Sequence, residues 1–381
     1  MLFSEKKTNL YFTFSLILLF VTVVLYFVSL DVSGGNLKNF FLYYLFIILL
    51  LFVPGNFLVS KFFKLKIINS LIIKFSFIYL FGYSFIFLSY FILNIHDDVV
   101  LLYKYLLPLI SGIYLIKHFD FKKYCMILKS HKYSLSLLMI ISLILIFFSI
   151  FGMVLSNPRL EKAGEFSYHQ DFFVHIGNIA SLSEGFPPKD LRFAGSVYSY
   201  HYADAIFHSV IYRLYRIDIF DQIFYFQWVF NIIFLVSALY TFSYLILKNE
   251  KDSIIFIFLF IFSSCISSLF AYENGFGLFL NVNFMHLITN INSTTVERGF
   301  CLMASALMIQ KMREDKNNKY KDILSYFYIG FFVVLCGFIK GPAGGIFIVS
   351  ICIWNQYIRK DRHEVTLKQK IENIFKYDNN S

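Results

Sequence analysis

Residues 203–215 read ADAIFHSVIYRLY, and whether this segment crosses a membrane decides the topology of everything after it. The segment is mostly apolar. A helix of this length reaches only about 20 Å, against a hydrocarbon core of roughly 30 Å. It also carries Asp204 and His208, both costly at mid-membrane. The basic residues downstream supply a test, because Lys and Arg collect in cytoplasmic loops. If the segment crosses, the clusters Lys248/Lys251, Lys311/Arg313/Lys316/Lys319/Lys321 and Arg359/Lys360/Arg362 all fall outside. If it does not cross, all three fall inside, with Lys61/Lys64/Lys66 and Lys117/Lys122/Lys123/Lys129/Lys132. The second arrangement is expected, with 203–215 a juxtamembrane helix lying along the outer interface.

The rest of the chain supports an all-α polytopic membrane protein. Its 381 residues are 58% hydrophobic and 21% aromatic, where soluble domains average about half apolar. Ten spans are expected, at 10–30, 40–59, 71–93, 99–116, 134–155, 223–247, 254–270, 296–312, 323–339 and 344–357. Each run is too long for a barrel strand, and only helices and closed barrels satisfy the backbone in lipid. Four parts follow: a five-span bundle (1–155), an extracytoplasmic loop (156–222), a second five-span bundle (223–358) and a cytoplasmic tail (359–381). A further outer loop, 271–295, joins the seventh and eighth spans. Both termini are expected in the cytoplasm, in the inner membrane of a prokaryote.

Some function classes drop out. The net charge of +10 is explained by bases gathered between spans, so no nucleic-acid partner is implied. The five cysteines, at 125, 265, 301, 336 and 352, form no CxxC, so neither a disulfide framework nor a zinc knuckle is supported. The first apolar run follows Lys6 and Lys7, is long and lacks a small-residue cleavage site, which indicates a retained span.

Chemistry-bearing residues concentrate in 168–208, YHQDFFVHIGNIASLSEGFPPKDLRFAGSVYSYHYADAIFH. Asp171 and His175 stand at i and i+4, so on a helix they share a face. Phe172, Ile176, Ile179 and Leu182 form an adjacent apolar stripe, as in a helix lying on a membrane surface. Gly185 with Pro187 and Pro188 ends that helix. Asp204 and His208 repeat the spacing. Two such faces at a membrane–water boundary can hold a divalent cation or position a base beside an acceptor hydroxyl. A plain interfacial belt of polar side chains is the competing reading, and spacing alone leaves these open.

The order D-F-F-x-H, then S-E-G-F-P-P, then F-A-G-x-x-Y-S-Y-H-Y resembles the first large outer loop of GT-C membrane glycosyltransferases. The segment Phe338-Ile-Lys-Gly-Pro-Ala343 is similar to the T-K-G-P turn of the group that includes aminoarabinose transferase and protein O-mannosyltransferase. The likeness covers roughly 166–347, and the earlier spans match only in hydropathy. It implies transfer of a sugar from a polyprenyl-phosphate-linked donor to a glycan, lipid or protein acceptor at the outer face, in cell-envelope polysaccharide biosynthesis. It implies Asp171 as base or metal-linked carboxylate, with His175 or His201 orienting it. Lys340, Arg192 and Arg298 would meet the leaving phosphate, and Asp204, His208 and His201 are supporting or metal candidates, with Mg or Mn a possible cation. Many members run longer, so the resemblance leaves this chain as a minimal member, a truncated reading frame or one half of a split protein. The alternatives are a transporter or flippase for lipid-linked saccharides, or a non-catalytic assembly partner. Against transport, the only basic residues well inside the expected spans are Lys74 and Lys104, whereas a transporter gathers ionisable groups at the midplane.

Overall fold

A computed structural model of the chain describes residues 5–62, 70–94, 96–118, 132–155, 158–159, 170–190, 196, 203–273, 294–314, 330–332 and 334–335. The elements formed by these residues are helices: α1 (Glu5–Val32), α2 (Leu37–Phe46), α3 (Val53–Phe62), α4 (Leu71–Leu93), α5 (Asp97–His118), α6 (Lys132–Ser149), α7 (Gln170–Glu184), α8 (Ala203–Tyr215), α9 (Gln227–Leu247), α10 (Glu250–Glu273) and α11 (Thr294–Glu314). Their Phe, Ile and Leu runs bury or present apolar side chains, and each backbone bonds within its own helix, as a hydrocarbon surrounding demands. Hydroxyls inside these runs are hidden the same way. Ser15, Thr22, Ser29, Ser84 and Ser89 each donate to a carbonyl three or four residues back.

Three π-helical turns interrupt the pattern, at Ile47–Phe52, Ile150–Leu155 and Asp221–Phe226. The first has a local cause. Pro54 has no N–H and its ring crowds the preceding turn, and the Val53 N–H bonds back five residues to the Ile48 carbonyl. The second extends α6, and the third opens α9.

Among the described residues, six helices are long and apolar enough to cross a membrane: Tyr11–Val32, Leu37–Lys61, Leu71–Leu93, Asp98–His118, Lys132–Ser149 and Asp221–Leu247. They correspond to the first six expected spans, the third with identical bounds. The seventh expected span lies inside α10 and the eighth inside α11, whose shorter apolar part is Arg298–Met308. Of the ninth, residues 330–332 and 334–335 are described and helical. The tenth lies outside the described residues.

Contacts at the helix ends relate the first, second, fifth and sixth spans to one another. The Ser33 hydroxyl, just past α1, donates to the Val154 carbonyl at the end of the fifth span (2.9 Å). The Arg159 N–H, beyond that span, donates to the Ser33 carbonyl (2.9 Å). Asn39, at the start of the second span, donates to Asp221 at the start of the sixth (2.9 Å). The fifth span therefore ends where the sixth begins, and the segment between them returns to the end it left. At the far end, Tyr11 stacks edge-on against Tyr133 and the Lys132 ammonium lies over the Phe12 ring. As the length and charge of 203–215 predict, α8 spans those residues and does not cross.

Its surroundings differ from expectation. α8 is covered by protein rather than lying free on a surface. Ala203, Ile206, Phe207, His208, Ser209, Val210, Ile211 and Leu214 are buried, because α8 is wedged against α4, α5 and α7. The apolar stripe of α7 is corrected likewise. Ile179 and Leu182 are buried in the protein core, with Ile176 packed against it, while Phe173 is half exposed. An apolar stripe prefers any apolar partner, and here the partner is the bundle end rather than the lipid surface.

Candidate functional site

The end of the bundle that carries α7 and α8 is tied down from several sides. The Tyr90 hydroxyl at the top of α4 donates to the Leu182 and Gly185 carbonyls (3.0 Å each), so α4 closes the C-terminus of α7. Ser181 on α7 donates to the Lys189 carbonyl (2.9 Å), which folds the Phe186–Lys189 turn back on the helix. The Arg213 guanidinium of α8 donates to the Asn94 side-chain oxygen after α4 (2.9 Å). α8 and α7 pack along their lengths.

Within this end, α8 supplies a carboxylate and an imidazole to a buried polar network. Asp204 Oδ1 accepts from the Tyr83 hydroxyl of α4 (3.1 Å) and from Gln227 Nε2 of α9 (3.0 Å). The Gln227 side-chain oxygen faces His208 Nε2. On the other side of the ring, His208 Nδ1 stands 3.1 Å from Gln222 Oε1, and Gln222 Nε2 donates to the Ile217 carbonyl (2.8 Å). His208 is 1% exposed and Gln222 is fully buried.

The donors and acceptors in this chain constrain one another. A neutral imidazole has a single N–H, yet both ring nitrogens face amide oxygens. Turning the Gln227 amide would set its oxygen against the Asp204 carboxylate, and turning Gln222 would set its oxygen against the Ile217 carbonyl. Asp204 and His208 are thus joined through the Gln227 amide. With both ring nitrogens engaged, His208 offers no free lone pair to a metal.

One turn deeper, the Tyr79 hydroxyl donates to Asn231 Oδ1 (2.8 Å), and Ser76 and Thr241 pair their hydroxyls (3.0 Å). Phe234 separates these pairs, lying parallel to Tyr79 at 4.3 Å between ring centres. Tyr43 belongs to the same region: its ring packs on Phe226, and its buried hydroxyl has no hydrogen-bond partner.

A second cluster braces the site from the side. The Arg159 guanidinium bonds the fully buried Asp221 (2.7 Å) and also Asp218 (3.2 Å), while Asn39 takes the other Asp221 oxygen. Burial works against the guanidinium charge, but the hydrogen bond and the charge of Asp221, with Asp218 behind it, outweigh burial and raise Arg159 above its ordinary value. Asp218 also caps the following turn, accepting from the Phe220 N–H (2.8 Å).

The sequence-derived candidates fare unevenly. Asp204 and His208 are brought together, by a glutamine that hydropathy passed over. His175 is half-buried on α7, on a line with the buried Asn178 and Leu182. Asp171 continues that line four residues earlier in α7, and its side chain lies outside the described residues. Arg298 is half-buried on α11, two residues before Phe300, whose ring packs edge-on against Tyr83 (5.2 Å). Arg192, His201 and Lys340 lie outside the described residues. Tyr83, Tyr79, Gln227 and Asn231 were missed. Their signal was present: two polar pairs at i, i+4 within apolar runs, where polar side chains are costly and tend to serve a purpose.

The described residues contain no group of three or more His, Cys, Asp or Glu able to hold a metal ion. No family model, curated protein or solved structure matches the chain.

Proposed function

We propose that this chain is a GT-C-type membrane glycosyltransferase of ten spans, working at the extracytoplasmic face of a prokaryotic inner membrane. Its donor is a sugar on a polyprenyl phosphate and its acceptor a cell-surface glycan, lipid or protein. The reading is supported by one observation above the others: the segment between the fifth and sixth spans stays at one end of the bundle and folds both D-x-x-x-H helices there. A polyprenyl-linked donor keeps its tail in lipid, its phosphate at the boundary and its sugar in water. Chemistry on it needs a carboxylate held at that level.

In this reading the acceptor hydroxyl loses its proton to Asp171, held in place by His175 or His201. The acceptor oxygen bonds to the anomeric carbon as the bond from that carbon to phosphate oxygen breaks, and polyprenyl phosphate leaves. Arg298, Arg192 and Lys340 stabilise the departing charge. Asp204 and His208 hold the floor beneath α7. No step is routed through a metal.

The polar pairs between α4 and α9 favour a second reading, a transporter of lipid-linked saccharide, because they put buried hydrogen-bonding groups along a span interface. Purified protein in vesicles, supplied with lipid-linked sugar and acceptor extract, separates the two. Glycosyltransfer that falls at least a hundredfold in Asp171→Asn, in line with losing a general base, supports the transferase. Wild-type turnover in Asp171→Asn removes Asp171 from the chemistry. Movement of intact donor across the bilayer without glycosidic transfer replaces the enzyme reading with the transporter.

A further inference from the structure

At the far end of the bundle from Asp204, α1, α4, α6 and α9 line a half-open cavity of about 450 Å³. Its walls are almost wholly apolar, with Leu19, Phe75, Leu138, Ile146 and Val236 among them, and the charged side chain at its edge is Lys74. Of its two hydroxyls, that of Ser237 already donates to the Phe234 carbonyl (2.8 Å).

Water fits such a space poorly. At roughly 30 Å³ apiece, about fifteen waters would need two to four polar partners each, and two serines and one lysine cannot supply them. Hydrocarbon fits it well. An apolar cavity near 150 Å³ stays dry and takes one benzene, so about three times that volume corresponds to roughly eighteen carbons. That is the carbon count of one fatty acyl chain. Lys74 lies one turn inside the start of α4, where a lysine reaches the headgroup level with its stem along apolar surface. An ammonium there selects a phosphate-bearing, net-negative headgroup.

We propose that this cavity binds one acyl chain of an anionic glycerophospholipid, with its headgroup phosphate at Lys74. The site stands apart from the Asp204 end and does not rest on the transferase reading. The lipid occupies the junction of four spans as a resident part of the packing.

The test reconstitutes the full chain in vesicles containing phosphatidylglycerol or phosphatidylcholine with a photoactivatable group on one acyl chain, and maps labelled peptides by mass spectrometry. The anionic probe should label Leu135–Ile146 of α6 and Ile233–Ser237 of α9 several-fold above Leu101, Leu109 and Ile113, which are exposed on α5. Lys74→Gln should erase the preference for the anionic probe. Val236→Phe with Leu138→Phe, which fill the space, should abolish cavity labelling and leave the α5 label unchanged. Label spread evenly over exposed span residues in the wild type overturns the proposal, whatever the variants do. Equal cavity labelling by both probes overturns the role of Lys74.

Discussion

Gly55 and Gly82 sit where the second and third spans approach closely, and substituting one of them tests how the bundle is held together. A Cβ added at Gly82 would sit 2.2 Å from the Leu51 carbonyl oxygen, and one at Gly55 would sit 2.1 Å from the Ile78 carbonyl oxygen. Both obstacles are backbone, so no side chain can swing aside. Ordinary contact begins at 3.4 Å, so Gly82→Ala forces the second and third spans apart by 3.4 − 2.2 = 1.2 Å along that line. A gap of up to 1 Å forfeits a quarter to a half of each dispersion well; with on the order of forty atom pairs at about 0.15 kcal/mol each, the loss is about 3 kcal/mol. Better helix propensity returns about 0.5–1 kcal/mol, leaving a net destabilisation of about 2 kcal/mol.

The same geometry predicts sub-additivity. One retreat makes room for both methyl groups, so Gly55→Ala with Gly82→Ala should cost about 2–3 kcal/mol rather than the sum of two singles. Reversible unfolding in mixed micelles, followed by helix content, gives each value. Gly112→Ala on α5 is the control: nothing lies within 4 Å of its added Cβ, so it should match or exceed wild type. The reasoning fails if Gly82→Ala is as harmless as Gly112→Ala, or if the double variant is strictly additive. Tyr83 follows Gly82 directly, so the same displacement should also weaken its hydrogen bond to Asp204.

Two other predictions concern the end that bears the site. Asp221→Asn removes the charge facing Arg159 and puts an amide N–H₂ against either the Arg159 or the Asn39 donor, and should cost about 3 kcal/mol, the scale of breaking a buried pair; a double cycle with Arg159→Gln should show coupling of at least about 1 kcal/mol, and zero coupling would refute the pair. In a cysteine-free background, Lys38→Cys and Lys189→Cys should react with an impermeant maleimide from one side of the membrane and Lys251→Cys only from the other. Labelling of all three from one side would refute the crossing order.

Six of the spans were legible because length and hydropathy answer a question the bilayer itself poses. Leu71–Leu93 emerges with the same bounds from sequence and structure, and the shortness of Ala203–Tyr215 sufficed to keep it from crossing. What α8 and α7 pack against was not legible. Ile206, Phe207 and Leu214 suit a lipid interface and a protein core equally well, since both are apolar. The ion cluster was equally hidden, because Arg159 and Asp221 stand in a loop and at a span start, 62 residues apart, with no periodicity to link them. For Asp204, the recurring D-x-x-x-H drew attention to the right residue through the wrong partner. His208 meets it only through Gln227, which sits in the next span.

That glutamine bears on how the bundle and the site depend on each other. Lipid tails are as apolar as leucine, so burial of apolar surface does little to hold one span against another; close packing and hydrogen bonds must do it. Along α4 the groups that do so follow one another in order: Ser76 to Thr241, Tyr79 to Asn231, Gly82 against Leu51, Tyr83 to Asp204. The last of these reaches the carboxylate at the bundle end. Interhelical hydrogen bonds in membranes average only about 0.6 kcal/mol each, so no single pair secures the α4–α9 interface. Losing Tyr79–Asn231 or Ser76–Thr241 should therefore act chiefly on the position of Tyr83 and Gln227, and through them on Asp204. The residues that hold α4 to α9 are the same ones that set where the Asp204 carboxylate stands.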